Sequence, residues 1–317
     1  MASLNRRRFL QITVATSAAV ISSLGSLAQA SGPTIWRGIV LGAEASIRIY
    51  GDQDKAHLAI KAALSVIKEE EAELSIYDPH SCLSQLNEMG ALTVTEKRGA
   101  SVHRLAVQSK AIHQKTNGLF DPTIQPLFKA YAENKGHPTK VRLERAKALV
   151  GIDKVETSNS SRLTFRQKGM ALTFNGIAQG FMTDKVRRSL DALGYHHALI
   201  NIGEYSAGTH SAKIGVADAK GDIFDIAVLQ NQAIATSSPA GYVFPDGTSH
   251  ILHPNGRKLR PTWDTVSVVA DNAALADGYS TALALAPDIT LGKKLVAERI
   301  LQRIILKDMR GQVHHIG

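Results

Sequence analysis

Apolar and polar positions change period along the chain, and the period sets the expected elements. Residues 39–50 are apolar and β-branched, interrupted at Gly42 and Ala43, and predict a first strand. From 54 to 73 apolar residues recur at helical spacing (Leu58, Ala62, Val66), with Glu69-Glu70-Glu71 on an outer, solvated face. Further helices are predicted over 101–116, 143–150 and 179–193, the last closed by Gly194 as a C-terminal cap. Residues 171–174 read as a strand running into the small-residue turn that opens the 179–193 helix. Beyond it the pattern is strand-rich: 198–202, 212–216, 224–229, 233–236 and 265–270, the last feeding a helix over 272–286. Residues 303–307 and 312–316 flank Met309-Arg310-Gly311 as a terminal hairpin. No repeat, low-complexity tract or long linker divides the chain. The expectation is an α+β fold, a single two-lobed domain with antiparallel or mixed sheets and flanking helices.

Residues 1–30 stand apart. Arg6, Arg7 and Arg8 precede an apolar run from Ile12 to Leu27 that closes on Ala28-Gln29-Ala30, the layout of a cleaved export signal. Adjacent arginines followed by x-Phe-Leu fit the twin-arginine type. The expectation is a periplasmic domain over 31–317 with no membrane span once processed. The single cysteine, Cys82, cannot close an internal disulfide, so stability rests on a packed core.

Charge narrows the partners. The chain carries 37 Lys+Arg against 28 Asp+Glu, net +9; without the three signal arginines the basic count is 34, about +6. The basic residues are scattered, with no stripe interleaved with aromatics, which argues against nucleic acid. The mild positive balance suits an anionic ligand.

Two stretches carry chemistry. Asn175-Gly176-Ile177-Ala178-Gln179-Gly180 opens a helix, where glycines admit a ligand to the backbone and the first N–H groups point at any anion. It lacks the spacing of a dinucleotide fingerprint. Asp277 and Thr281, four apart on a helix, share one face, and a carboxylate with a hydroxyl suits Mg²⁺. Taken singly, the first stretch reads as a tight strand-to-helix turn and Asp277 as a polar residue near a helix start that assists the dipole. His250 and His253 point to opposite sides of an extended segment, so His250 acts alone, as a proton or hydrogen-bond donor near a diphosphate. There is no Gly-x-Ser-x-Gly elbow, no His-Glu-x-x-His and no cysteine pair, which excludes the usual serine-hydrolase and zinc patterns.

Read in order, the pieces resemble the ApbE family of FAD:protein FMN transferases. The series runs Glu73-Leu74-Ser75-x-Tyr77-Asp78-Pro79-x-Ser81 and Ser84-x-Leu86-Asn87, then Gly118-x-Phe120-Asp121-Pro122-Thr123. It continues with Gly176-Ile177-Ala178-x-Gly180-Phe181-x-x-Asp184, Asn201-Ile202-Gly203, Ala235-Thr236-Ser237, His250-Ile251 and Ala276-Asp277-x-x-x-Thr281-Ala282. The resemblance implies cleavage of the FAD pyrophosphate, release of AMP, and linkage of FMN through its phosphate to a Thr or Ser of a target flavoprotein. It implies that the Ala178 carbonyl, Asp277 and Thr281 hold Mg²⁺. It places Tyr77, Phe120, Asp121, the 175–181 loop (Asn175, Gly176, Gly180 and Phe181 among it), Thr236, His250 and Ile251 at the FAD site. Leu41 stands where the family has a flavin-contacting methionine.

The chain also departs from the family pattern. Asp-Leu-Gly-Gly-Ile-Ala-Lys-Gly becomes Thr173-Phe174-Asn175-Gly176-Ile177-Ala178-Gln179-Gly180, which removes a carboxylate and an ammonium. Gly-Gly-Glu becomes Gly203-Glu204-Tyr205, and the aspartate of His-Ile-x-Asp-Pro becomes His253. The Asn175-Gly176-Ile177-Ala178-Gln179-Gly180 variant and the Gly203-Glu204 pattern, behind the twin-arginine signal, resemble the NosX-like subgroup that accompanies nitrous-oxide reduction, whose target would be a NosR-like membrane flavoprotein. The charge losses at Thr173 and Gln179 leave open an FAD-binding delivery protein without transfer, and a second alternative is an FAD pyrophosphatase in which water replaces the protein hydroxyl.

Overall fold

The computed structural model describes residues 32–317, and the expected export signal lies outside them. A hairpin opens the fold: β1 (Thr34–Val40) and β2 (Ala43–Ile49) pair antiparallel around Leu41 and Gly42. The single strand expected over 39–50 is therefore split. Both turn residues have positive φ, 46° and 88°, the primed-turn geometry whose twist matches paired strands. Leucine is disfavoured there, and the Leu41 N–H is held by Glu71 Oε1 at 3.2 Å.

Helix α1 (Gln53–Leu74) follows, capped by Asp52. Its buried stripe is Ala56, Ala59, Ile60, Ala63 and Ile67, one step round from the expected face, and Leu58 points to solvent. Glu70 is correspondingly buried and pairs with Lys185 at 2.9 Å, which corrects the solvated acidic face. Then come α2 (Cys82–Met89), β3 (Ala91–Thr93), α3 (Ala100–Lys115), α4 (Gln125–Glu133) and α5 (Lys140–Ala148). The short strands β4 (Val155–Glu156) and β5 (Arg162–Phe165) join β3 in a small sheet.

Residues 171–174 are extended but not a strand. Their backbone groups are met by a side chain: Asn87 donates to the Leu172 carbonyl at 2.8 Å and accepts from its N–H at 2.7 Å. The Thr173 N–H reaches the Pro122 carbonyl at 2.8 Å. This satisfies a buried extended segment without a ladder.

Helix α6 (Ala178–Ala192) leads to β6 (Leu199–Ile202), β7 (Tyr205–Ala207), the β8 (Ala212–Ala217) and β9 (Ile223–Leu229) hairpin, and β10 (Gln232–Ser237). The chain ends with β11 (Trp263–Ala270), α7 (Ala273–Leu283), α8 (Thr290–Ala297), β12 (Arg303–Asp308) and β13 (Val313–Ile316). The main sheet has the order β1-β2-β6-β7-β10-β11-β12-β13, and its named pairs are antiparallel. Helices α6 and α7 pack together over one face. The other face is covered by the β8–β9 hairpin, with Ile214, Val216, Ala227 and Leu229 against Leu199, Ile234, Val269 and Ile305. No helix of the described residues is long and apolar enough to cross a membrane.

Candidate active site

The site is built where the N-terminal ends of α6 and α7 meet. Asp184, on α6, caps α7 by accepting from the Ala273 and Ala274 N–H groups at 2.8 and 3.0 Å. That contact needs glycine: a Cβ on Gly180 would lie 2.2 Å from the Ala273 carbonyl oxygen. A Cβ on Gly176 would likewise lie 2.8 Å from Thr281 Oγ1. The backbones approach closely enough for Asp277 Oδ2 to accept the Gly180 N–H at 3.1 Å. The Thr281 hydroxyl donates to the Gly176 carbonyl at 3.4 Å. The expected i, i+4 pair on α7 therefore faces the turn that opens α6.

Two cavities flank this turn. The first, about 180 Å³, is lined by Phe120, Asp121, Gly176, Thr236, His250, Ile251, Asp277 and Thr281 among others. The second, about 310 Å³, is lined by Leu41, Tyr77 and Ala178. Asn175 and Gln179 belong to both walls, so the turn separates one cavity from the other. Two expected lining residues border neither. Gly180 is the point of helix contact, and Phe181 is turned into the core beneath the Lys185 ammonium, 5.6 Å from its ring centre.

The polar groups divide by what already occupies them. Asp121 lines the first cavity, but its oxygens accept from the Thr123 hydroxyl (2.5 Å) and N–H (2.9 Å) and the Ile152 N–H (3.1 Å). It holds the chain in place more than it offers an acceptor. His250 is half-buried, and its Nδ1 lies 3.0 Å from the Tyr242 carbonyl. A carbonyl only accepts, so Nδ1 carries the proton; burial holds the imidazole pKa below its ordinary value. In the neutral ring Nε2 then presents a lone pair, so His250 is an acceptor here and not the donor expected from sequence.

Asp277 has a second oxygen that accepts no hydrogen bond from the described residues. Burial pushes its pKa up to about 7; the Gly180 N–H opposes the shift and the Asp184 charge adds to it. Glu204, in the same cavity wall, was not singled out as a site residue from sequence, where it was only a departure from a glycine pattern. It lies between β6 and β7, and its Oε2 accepts the Thr236 N–H at 3.2 Å. Burial first, then the charge of Asp277, raises its pKa well above the ordinary carboxylate range, against the Thr236 N–H. A charged residue at a bend between two apolar strands was the one signal that could have flagged it.

The donor set fits a hard cation. Three buried carboxylates, Asp121, Glu204 and Asp277, line a cavity whose wall, among the described residues, has no lysine or arginine. Asp121 is already held by three donors, and a divalent ion would offset the cost of the other two. Among the described residues there is no cluster of three or more His, Cys, Asp or Glu, so hydroxyl, carbonyl and ligand oxygens would complete a shell. Ala178, the third residue expected to hold Mg²⁺, borders the second cavity, across the turn from Asp277 and Thr281.

Comparison with known proteins bears on this assembly. The sequence profile of the ApbE family matches residues 41–304, a span that holds every residue lining the two cavities. The chain belongs to the ApbE family. Among curated relatives, this ApbE chain is 24% identical over 271 residues to the FAD:protein FMN transferase of Salmonella typhimurium, covering 79% of the chain and 75% of the relative. It is 23% identical over 277 residues to the protein of that name from Treponema pallidum, covering 77% and 76%. The fold matches the Thermotoga maritima ApbE crystal structure with a TM-score of 0.80 at 22% identity, over 90% of this chain and 97% of that one. The apo flavinyl transferase ApbE of Pseudomonas stutzeri matches with a TM-score of 0.76 at 21% identity, over 92% and 97%. Both identities are too low to carry more than the α+β architecture.

Proposed function

We propose that this ApbE protein transfers FMN from FAD to a Thr or Ser hydroxyl of a target flavoprotein, releasing AMP, with Mg²⁺ as its cation. The observation that carries this is the oxygen-lined cavity of Asp277, Thr281 and Glu204, which shares the wall residues Asn175 and Gln179 with a second cavity under Leu41 and Tyr77. One diphosphate lying over the turn would place the two halves of a dinucleotide on either side of it. The names of the curated relatives support the same donor and acceptor classes.

In this reading Asp277 and Thr281 would hold the cation, which supplies charge neutralisation to the diphosphate when bound. The start of α6 adds N–H groups and the positive end of its dipole. The target hydroxyl attacks the FMN phosphorus, the bond from that phosphorus to the AMP oxygen breaks, and AMP leaves. His250 Nε2, open as an acceptor, takes the hydroxyl proton. Arg6, Arg7 and the apolar run behind them support export to the periplasm. The Asn175-Gly176-Ile177-Ala178-Gln179-Gly180 variant supports a NosX-like role with a NosR-like membrane flavoprotein as target.

The test incubates purified residues 31–317 with FAD, Mg²⁺ and a candidate periplasmic flavoprotein domain. A fluorescent target band on a denaturing gel, with matching AMP, is expected, and both are lost with EDTA. AMP without the band would make the protein an FAD pyrophosphatase. FAD binding with neither product would make it a carrier.

A further inference from the structure

The first cavity holds two carboxylates beyond the Asp277 that the cation reading above uses; Asp121 is taken up by Thr123 and Ile152, which leaves Glu204. Glu204 is 7% exposed and Asp277 is 4% exposed, yet they come from different elements, the β6–β7 bend and α7. Each spends one oxygen on a backbone N–H, Thr236 for Glu204 and Gly180 for Asp277. The other oxygen of each accepts nothing from the described residues. Among the described residues no lysine or arginine lines the cavity, and the histidine there, His250, donates its Nδ1–H to the Tyr242 carbonyl. Gln179 Nε2 is buried without a partner at the same wall, but an amide does not neutralise charge. Two carboxylates on that wall, with no lysine or arginine beside them among the described residues, are charged together only at a cost that a cation would offset.

We propose that Glu204 is a direct ligand of the same divalent cation as Asp277 and Thr281, so that the protein captures the ion before any nucleotide arrives. The inference rests on the cation reading of this cavity. Two carboxylates and a hydroxyl are hard oxygen donors suited to Mg²⁺ or Mn²⁺, and they leave the rest of the shell to phosphate and water. Two anionic ligands bind the bare ion more tightly than one carboxylate alone.

Mn²⁺ titrated into EDTA-stripped, nucleotide-free protein tests this, with bound ion read by electron paramagnetic resonance and thermal melting followed in parallel. The wild-type protein is expected to take one Mn²⁺, Asp277→Asn to lose it, and Glu204→Gln to weaken it by about tenfold or more. Glu204→Gln should also gain less in melting temperature from Mn²⁺ than wild type does. Equal affinity of Glu204→Gln and wild type, with Asp277→Asn impaired, would overturn the role of Glu204 and leave the cation site standing. Failure of the wild type to bind Mn²⁺ without FAD would overturn it too, while Mg²⁺-dependent transfer would still be judged by its own assay. If Glu204→Gln does not fold, Glu204→Asp decides, since it keeps the charge and withdraws the oxygen: unchanged Mn²⁺ affinity would sink the proposal.

Discussion

Asp277 joins two roles in one carboxylate, holding the start of α6 through Gly180 and presenting a second oxygen to the cavity. Its pKa gives it a pH signature. The folded value is about 7 against an ordinary 3.8, so between those values the native state keeps a proton that the unfolded chain has released. In EDTA this contribution to stability is fully present below about pH 4 and is lost as pH rises through 7. Calorimetry from pH 4.5 to 8 should show wild type losing ground to Asp277→Asn across that window; a constant difference would contradict the assignment. Thr281 is a neutral ligand that water can replace, so Thr281→Val should cost about tenfold in kcat/KM, or ~1.4 kcal/mol. His250→Ala should lower transfer by about 10²–10⁴-fold with little change in FAD affinity, the pattern of a lost general base. A matched fall in affinity would place the ring in binding instead.

Between elements, the α6–α7 contact sets the site. Gly180→Ala puts a methyl 2.2 Å from the Ala273 carbonyl, and the helices must separate. A loss of about 1–3 kcal/mol is expected from such overpacking, together with weaker metal binding as Asp277 leaves the Gly180 N–H. Asn87→Ala removes both partners of Leu172 and should cost about 2 kcal/mol or more, with loosened density of contacts under the 175–180 turn. Unfolding curves of both variants check these figures. The Asn87 contact also explains a limit of the sequence. An extended apolar run predicts a strand, but nothing local reveals that its partner is a side chain 85 residues away. Helices α1, α3, α6 and α7 were legible because their apolar spacing runs through several turns. The Glu70 face and the break at Leu41 were not, since each depends on a distant residue, Lys185 or Glu71. At the site, Asp277 and Thr281 were readable from helical spacing alone. Glu204 was not, because its proximity to them comes from sheet order, and Phe181 was misplaced because adjacency in a motif says nothing about which way a helix turns it.

For the whole molecule, the strand order has a consequence in time. The β1–β2 hairpin closes on itself, but β2 docks on β6, about 150 residues further along the chain. Closing so long a loop is slow, and the contact cannot exist until α6 and β6 have been made. Local hairpins such as β8–β9 and β12–β13 have no such wait. Pulsed hydrogen exchange during refolding should therefore protect β8–β9 amides first and the β2–β6 ladder late; early protection of β2 against β6 would contradict this. Leu41, at the tip of the late-docking hairpin, forms one wall of the second cavity. The half of the pocket it closes is thus the last to be completed, and a chain interrupted before β6 would carry the α1 wall of that cavity with nothing to set the hairpin against the sheet.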